Sequence, residues 1–136
     1  AKKMIRVKIV SNDITTVAKV VLIDDSNRIL FLKRSDYVEK FAGEWDLPGG
    51  HLKSKESLLD GLKREVKEET DLEIEDAKLV DIQGNLHFFY ANYNSKPIKM
   101  SHEHTGFRFF DKNDLDPAEK FQKIALRALE MKNDQD

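Results

Sequence analysis

The stretch GGHLKSKESLLDGLKREVKEETDL, residues 49–72, decides how this 136-residue chain is read. Ser54 is placed to cap a helix running to about Thr70, with Glu56 in its positively polarised first turn. Leu58, Leu62 and Val66 recur at helical spacing and mark the face that is buried. Glu65, Glu68 and Glu69 stand at i, i+3 and i+4, so three carboxylates leave the same side of the helix. Like charges that close repel, and something positive has to sit among them. One solution is local: Lys63, Arg64 and Lys67 neutralise the acids through i,i+3 and i,i+4 pairs on a solvated face. The other is a hard divalent cation, Mg²⁺ or Mn²⁺, which oxygen-only ligands suit. The helix taken alone leaves both open.

Outward from the helix, the chain alternates strand and helix signals. Residues 4–10 and 17–23 are rich in β-branched side chains, with the turn-former Ser11-Asn12-Asp13 between them. A turn over residues 24–27 leads into a strand at residues 28–33, and residues 41–50 are irregular. Residues 79–93 read as one long extended region covered on both faces, with Gly84 as a bulge or bend. A strand is expected at residues 107–110, after the turn-former Gly106. Pro117 opens a last helix whose apolar stripe is Phe121, Ile124, Ala125 and Ala128. The order predicts an α/β fold, a mixed β-sheet between helical layers. One domain over residues 1–131 and a disordered polar tail at 132–136 are expected.

Composition narrows the function classes. Lys plus Arg number 23 and Asp plus Glu 25, a net charge of −2. That balance argues against a dedicated nucleic-acid binder and against polybasic membrane attachment. With a cysteine count of 0, disulfides, thiolate nucleophiles and Cys-ligated metals are excluded. No run reaches the roughly 18 apolar residues of a membrane span, and the start, AKKMIRVKIV, lacks the apolar core of a signal peptide. A cytoplasmic location is the expectation.

The spacing within the opening stretch resembles the signature of the Nudix hydrolase superfamily, G-x5-E-x7-R-E-U-x-E-E-x-G-U, where U is a bulky aliphatic. Gly50, Glu56, Arg64, Glu65, Val66, Glu68, Glu69 and Leu72 occupy eight of its nine constrained positions. The departure is Asp71 in place of glycine, at a helix end where a left-handed residue closes the last turn. Asp tolerates that conformation better than most residues, at a cost of roughly 1 kcal/mol. The resemblance implies the family's α/β/α sandwich and attack of metal-activated water on a nucleoside diphosphate linked to a group X. Nucleoside triphosphates, dinucleoside polyphosphates and ADP-ribose belong to that class. It implies Mg²⁺, with Mn²⁺ as an alternative, and a nucleotide-type small molecule as partner; a homodimer stays open. The competing expectation is a Nudix-fold nucleotide-binding or regulatory module without turnover.

By the same resemblance, Glu65, Glu68 and Glu69 are catalytic carboxylates and metal ligands, and the Gly49 carbonyl adds an oxygen. Glu65 can also act as general base. Arg64 braces the carboxylates, while Glu56 and Gly50 support them. Glu103, in Ser101-His102-Glu103-His104, is the candidate for a further carboxylate from a distant loop. His102 and His104 can touch phosphate or stand by as surface residues, and Arg34 can meet a terminal phosphate. Trp45 and Phe41 can stack on a base or seal the core. Tyr90 lies 18 residues past Leu72, resembling a placement in members that cleave dinucleoside polyphosphates. Position 87, where ADP-ribose hydrolases resemble one another by a proline, is His.

Overall fold

The computed structural model describes residues 15–35 and 43–135. The strand expected at residues 4–10 and the aromatic Phe41 lie outside the described residues. Strand β1 (Val17–Ile23) is followed by β2 (Ile29–Arg34), β3 (Trp45–Asp46) and β4 (Gly49–His51), then helix α1 (Leu58–Thr70). Strands β5 (Lys78–Gln83), β6 (Leu86–Asn92) and β7 (His104–Phe110) lead through a 3₁₀ turn at Lys112–Asp114 to helix α2 (Lys120–Gln135).

The strands join in one mixed sheet, ordered β3-β2-β1-β6-β5, with β4 also on β1 and β7 on β2. β1 runs parallel to β6 and antiparallel to β2 and β4. Alternation along β1 supplies both cores. Ala18, Val20 and Leu22 face Leu62 and Val66 of α1, whereas Val21 and Ile23 face Ile124, Ala125 and Ala128 of α2. β6 does the same, with Phe89 and Ala91 towards α1 and Phe88 and Tyr90 towards α2. Each fully buried aliphatic or aromatic side chain contributes about 1.5–3 kcal/mol, so both helices are clamped to the sheet.

Several boundaries differ from the sequence reading. Ser57, rather than Ser54, caps α1, its hydroxyl accepting from the Asp60 N–H at 3.2 Å. Residues 53–56 form a loop in which Lys55 adopts a positive φ of 67°. Glu56 therefore precedes the helix instead of occupying its first turn. Gly61 packs on Leu52 and the Glu56 carboxylate. Residues 79–93 are not one strand: Gly84 (φ 62°) and Asn85 turn the chain back into a β5–β6 hairpin. β7 begins at His104, three residues earlier than expected. α2 begins at Lys120 and continues to Gln135, so residues 132–135, expected as disordered tail, are its last turn. Gln135 holds that turn down, accepting from the Tyr90 hydroxyl and from Lys78 Nζ.

At the other end of α1, Asp71 has φ 64° and ψ 13° and donates its N–H to the Lys67 carbonyl, the left-handed closure anticipated for it. Lys67 Nζ lies 3.2 Å from Asp71 Oδ1, both half exposed, worth a few tenths of a kcal/mol. Asp71→Gly removes a strain of about 1 kcal/mol and should raise Tm by about 2–4 °C with kcat unchanged. A thermal melt together with an activity assay checks this, and a lower Tm would show that the Lys67 pair outweighs the strain. Among the described residues no helix is long and apolar enough to cross a membrane.

Candidate active site

Arg64 organises the outer part of the acidic face. Its guanidinium grips Glu56 with two bonds, Nε to Oε2 at 2.8 Å and Nη2 to Oε1 at 3.0 Å. The same group donates to both Glu68 oxygens at 3.2 Å and to the His51 carbonyl at 3.0 Å. Glu65 Oε2 lies 3.6 Å away. Glu56 also accepts the Lys53 N–H at 2.8 Å. These bonds to its charged form, Arg64 first, hold its carboxyl down to about 2. Arg64 thus fastens the loop before α1 to the helix, with Glu56 as main partner.

The inner part is different in kind. Glu69 is 7% exposed and accepts the Gly49 N–H on Oε1 at 2.9 Å. Burial pushes its carboxyl up to about 8; Lys19 and the Gly49 N–H pull against that rise, and the Asp46 and Glu65 carboxylates add to it. Glu65 is raised as well, first by burial and then by Glu68 and Glu103, with Arg64 opposing. Two neighbouring carboxyls that both resist ionisation mark a place where negative charge has been collected without enough positive charge to match.

The two glycines are needed for separate reasons. Gly49 has φ 136°, and a Cβ there would run into Ala18 O and Lys19 Cα of β1. Its constraint is packing against β1. A Cβ on Gly50 would strike the Glu65 carboxylate, so Gly50 does keep space beside an acid. The Gly49 loop is fixed by the Val20 N–H on the Pro48 carbonyl at 2.9 Å and by pairing of β4 with Val17, Ala18 and Lys19.

Glu103 sits in a loop drawn to the same region. The Ser101 N–H donates to the Glu69 carbonyl at 3.1 Å and the Lys99 N–H to the Thr70 carbonyl at 2.9 Å. The Ser35 N–H reaches the Glu103 carbonyl at 2.7 Å. The loop is thereby tied to the last turn of α1 and the end of β2, and the exposed Glu103 carboxylate stands near enough to perturb Glu65. His102 is exposed. His104, read as a surface residue, is instead fully buried, and neither ring nitrogen has a hydrogen-bond partner.

Sequence reasoning missed Lys19 and Asp46. Asp46 Oδ1 receives Lys19 Nζ at 2.9 Å, while its Oδ2 receives Arg34 Nη1 at 3.1 Å and lies 3.7 Å from His104 Nε2. Burial raises the Asp46 carboxyl, but His104, Lys19 and Arg34 together outweigh it and leave it lowered to about 2. A signal was present: a lone lysine inside the buried strand VAKVVLI has to find a carboxylate. Arg34 is thus committed to Asp46 rather than projecting to solvent. Trp45 and Tyr90 do not join the carboxylates. Both pack in the core beneath α2, on the opposite sheet face from α1, with Trp45 edge-on to Phe110 at 5.4 Å.

The donor set fits a hard cation: oxygen-only, partly buried and short of positive charge. Among the described residues no three carboxylate or imidazole groups converge as metal ligands do. Glu68 is turned to Arg64 and Glu69 to the Gly49 amide.

Comparison with known proteins agrees with this arrangement. The chain is similar in structure to the MutT NUDIX hydrolase of Burkholderia pseudomallei (26% identity, TM-score 0.68, 84% of this chain and 96% of that one). It is similar in fold to an Ap4A hydrolase of C. elegans (17%, 0.70, 89% and 99%). A third likeness is to an ADP-ribose pyrophosphatase of Streptococcus suis (22%, 0.69, 87% and 91%). The sequence profile of the NUDIX domain matches residues 14–130, and the chain therefore belongs to the NUDIX family of pyrophosphohydrolases.

Proposed function

We propose that this protein hydrolyses the pyrophosphate linkage of a nucleoside diphosphate joined to a second group, with Mg²⁺ or Mn²⁺ held by α1 and the loops beside it. The observation that carries the reading is the pairing of Glu65 and Glu69, one helical turn apart on α1, both drawn out of water so that burial raises their carboxyls, with neighbouring carboxylates adding to the rise. Glu65, Glu68, Glu69 and the Gly49 carbonyl would hold the cation, with Glu103 completing the set. A bound divalent ion would neutralise phosphate charge and lower the pKa of the attacking water.

The protein's own residues do the rest. Glu65, with its raised pKa, is suited to take the proton of the attacking water. Arg64 fixes the loop before α1 and holds Glu68, one of the carboxylates that would ligate the cation. The Gly49 amide keeps Glu69 aimed at the loop. Neighbours of this fold include an Ap4A hydrolase and an ADP-ribose pyrophosphatase, so the fold admits more than one group X. Tyr90, buried beneath α2, and Trp45, partly buried there, give no support to a dinucleoside polyphosphate in particular.

The test is a panel of dNTPs, ADP-ribose, diadenosine polyphosphates, FAD and nucleotide sugars with Mg²⁺, scored for phosphatase-releasable phosphate. Binding without phosphate release across the panel would give the regulatory reading instead. Glu103→Gln should weaken apparent Mg²⁺ affinity or lower kcat, while metal-free stability stays within about 0.5 kcal/mol, as for an ordinary surface change. Superimposable Mg²⁺ titrations of activity would remove Glu103 from the site.

A further inference from the structure

We infer that Asp46 is a positioning residue for this site: one buried carboxylate tying together the two loops that flank the acidic face of α1. The inference rests on the metal-dependent reading above.

Asp46 is 3% exposed and receives cations from two strands, Lys19 of β1 and Arg34 of β2, while His104 of β7 approaches it from a third. Asp46 itself lies in β3, three residues before Gly49. Lys19 Nζ extends the contact forward, donating also to the Leu47 carbonyl at 3.2 Å. The chain from Asp46 to Gly49 is therefore pinned to β1, and Gly49 is the residue whose amide holds Glu69. On the other side, His104 directly follows Glu103 in the chain.

The His104 contact is unfinished. Its side chain is fully buried, and its Nε2 stands 3.7 Å from Asp46 Oδ2, past the hydrogen-bond range. A buried imidazole without a partner is costly, because its desolvation is not offset. A movement of about 0.5–1 Å would close the bond. Drawing Glu103 inwards moves the residue next to His104, so the loop can trade the unmet bond for a made one when Glu103 is engaged. Asp46 supplies the fixed end of that bond, because Lys19 and Arg34 already hold both of its oxygens. The carboxylate thus sets where each loop stops.

The experiment compares wild type, Asp46→Asn, Asp46→Glu and His104→Phe, each well below its own Tm. Mn²⁺ affinity is read by electron paramagnetic resonance, and kcat and KM with whichever nucleotide the panel identifies. Asp46→Asn should raise the Mn²⁺ Kd at least tenfold and lower kcat at least tenfold, with KM within threefold. Asp46→Glu, which keeps the charge, should recover part of the lost affinity. His104→Phe keeps a buried ring and should raise the Mn²⁺ Kd at least threefold. A merely structural Asp46 would lower Tm and leave Mn²⁺ affinity and kcat as in wild type, and that result overturns the inference. If Asp46→Asn does not fold, an unchanged Mn²⁺ Kd in His104→Phe overturns it. Wild type that neither binds Mn²⁺ nor releases phosphate would instead overturn the metal-dependent reading.

Discussion

Glu69→Gln is expected to lower kcat by about two orders of magnitude or more, the scale of removing a main electrostatic group, and yet to stabilise the metal-free protein above pH 7. Both effects follow from one buried carboxylate. The Glu69 carboxyl, ordinarily near 4.5, is raised to about 8 in the folded chain. Below pH 4.5 it is protonated folded or unfolded, and the fold bears no charge there. Between 4.5 and 8 the unfolded chain gives up the proton first, so stability falls steadily with rising pH. At about 1.4 kcal/mol per unit, the loss reaches a few kcal/mol by pH 8. Gln keeps the acceptor for the Gly49 N–H and removes the ionisation. Melting curves in chelator from pH 5 to 8 should slope downward for wild type and flatten for Glu69→Gln. Mg²⁺ should raise the wild-type Tm more at pH 8 than at pH 5. Glu68→Gln should cost as much activity. Wild-type activity in Glu69→Gln would remove Glu69 from the site.

The second large effect is removal of the cation. Excess EDTA should abolish turnover, and Mg²⁺ or Mn²⁺ should restore it. The chain has no cysteine, and the acidic face gathers Glu65 and Glu69, whose carboxyls are raised first by burial and further by neighbouring carboxylates, which a cation would offset. A steady-state assay in buffered free Mg²⁺ measures the dependence, and full turnover in chelator would sink the metal mechanism.

Much of the site was legible because its determinants are local. The spacing of Glu65, Glu68 and Glu69 places them on one helix face whatever surrounds the helix. The left-handed Asp71 follows from a helix stop. What failed depended on distant contacts. Ser54 and Ser57 are equally good caps by residue type; the choice fell to Ser57 because Glu56 is held by Arg64, eight residues on. Trp45 and Tyr90 show no difference in sequence between a ligand face and a core face, and the α2 side claimed both. His104 was read by its polar neighbours, although the pairing of Arg34 with His104 buries it. The Gly84-Asn85 turn was visible as residue types, but the apolar run on both sides hid it.

The parallel pairing of β1 with β6, from Val17 on Leu86 to Ile23 on Asn92, bears on how the protein comes into being. The paired strands are separated by about 70 residues of chain, and contacts so remote in sequence form slowly because a long loop must close first. Helix α1 needs only its own 13 residues for its hydrogen bonds. During synthesis every residue of the signature helix has therefore been made while β1 still lacks β6 along one edge. The loop that brings Glu103 to the end of α1 emerges later still. A chain halted before β6 carries every residue of the motif and still lacks the loop of Glu103.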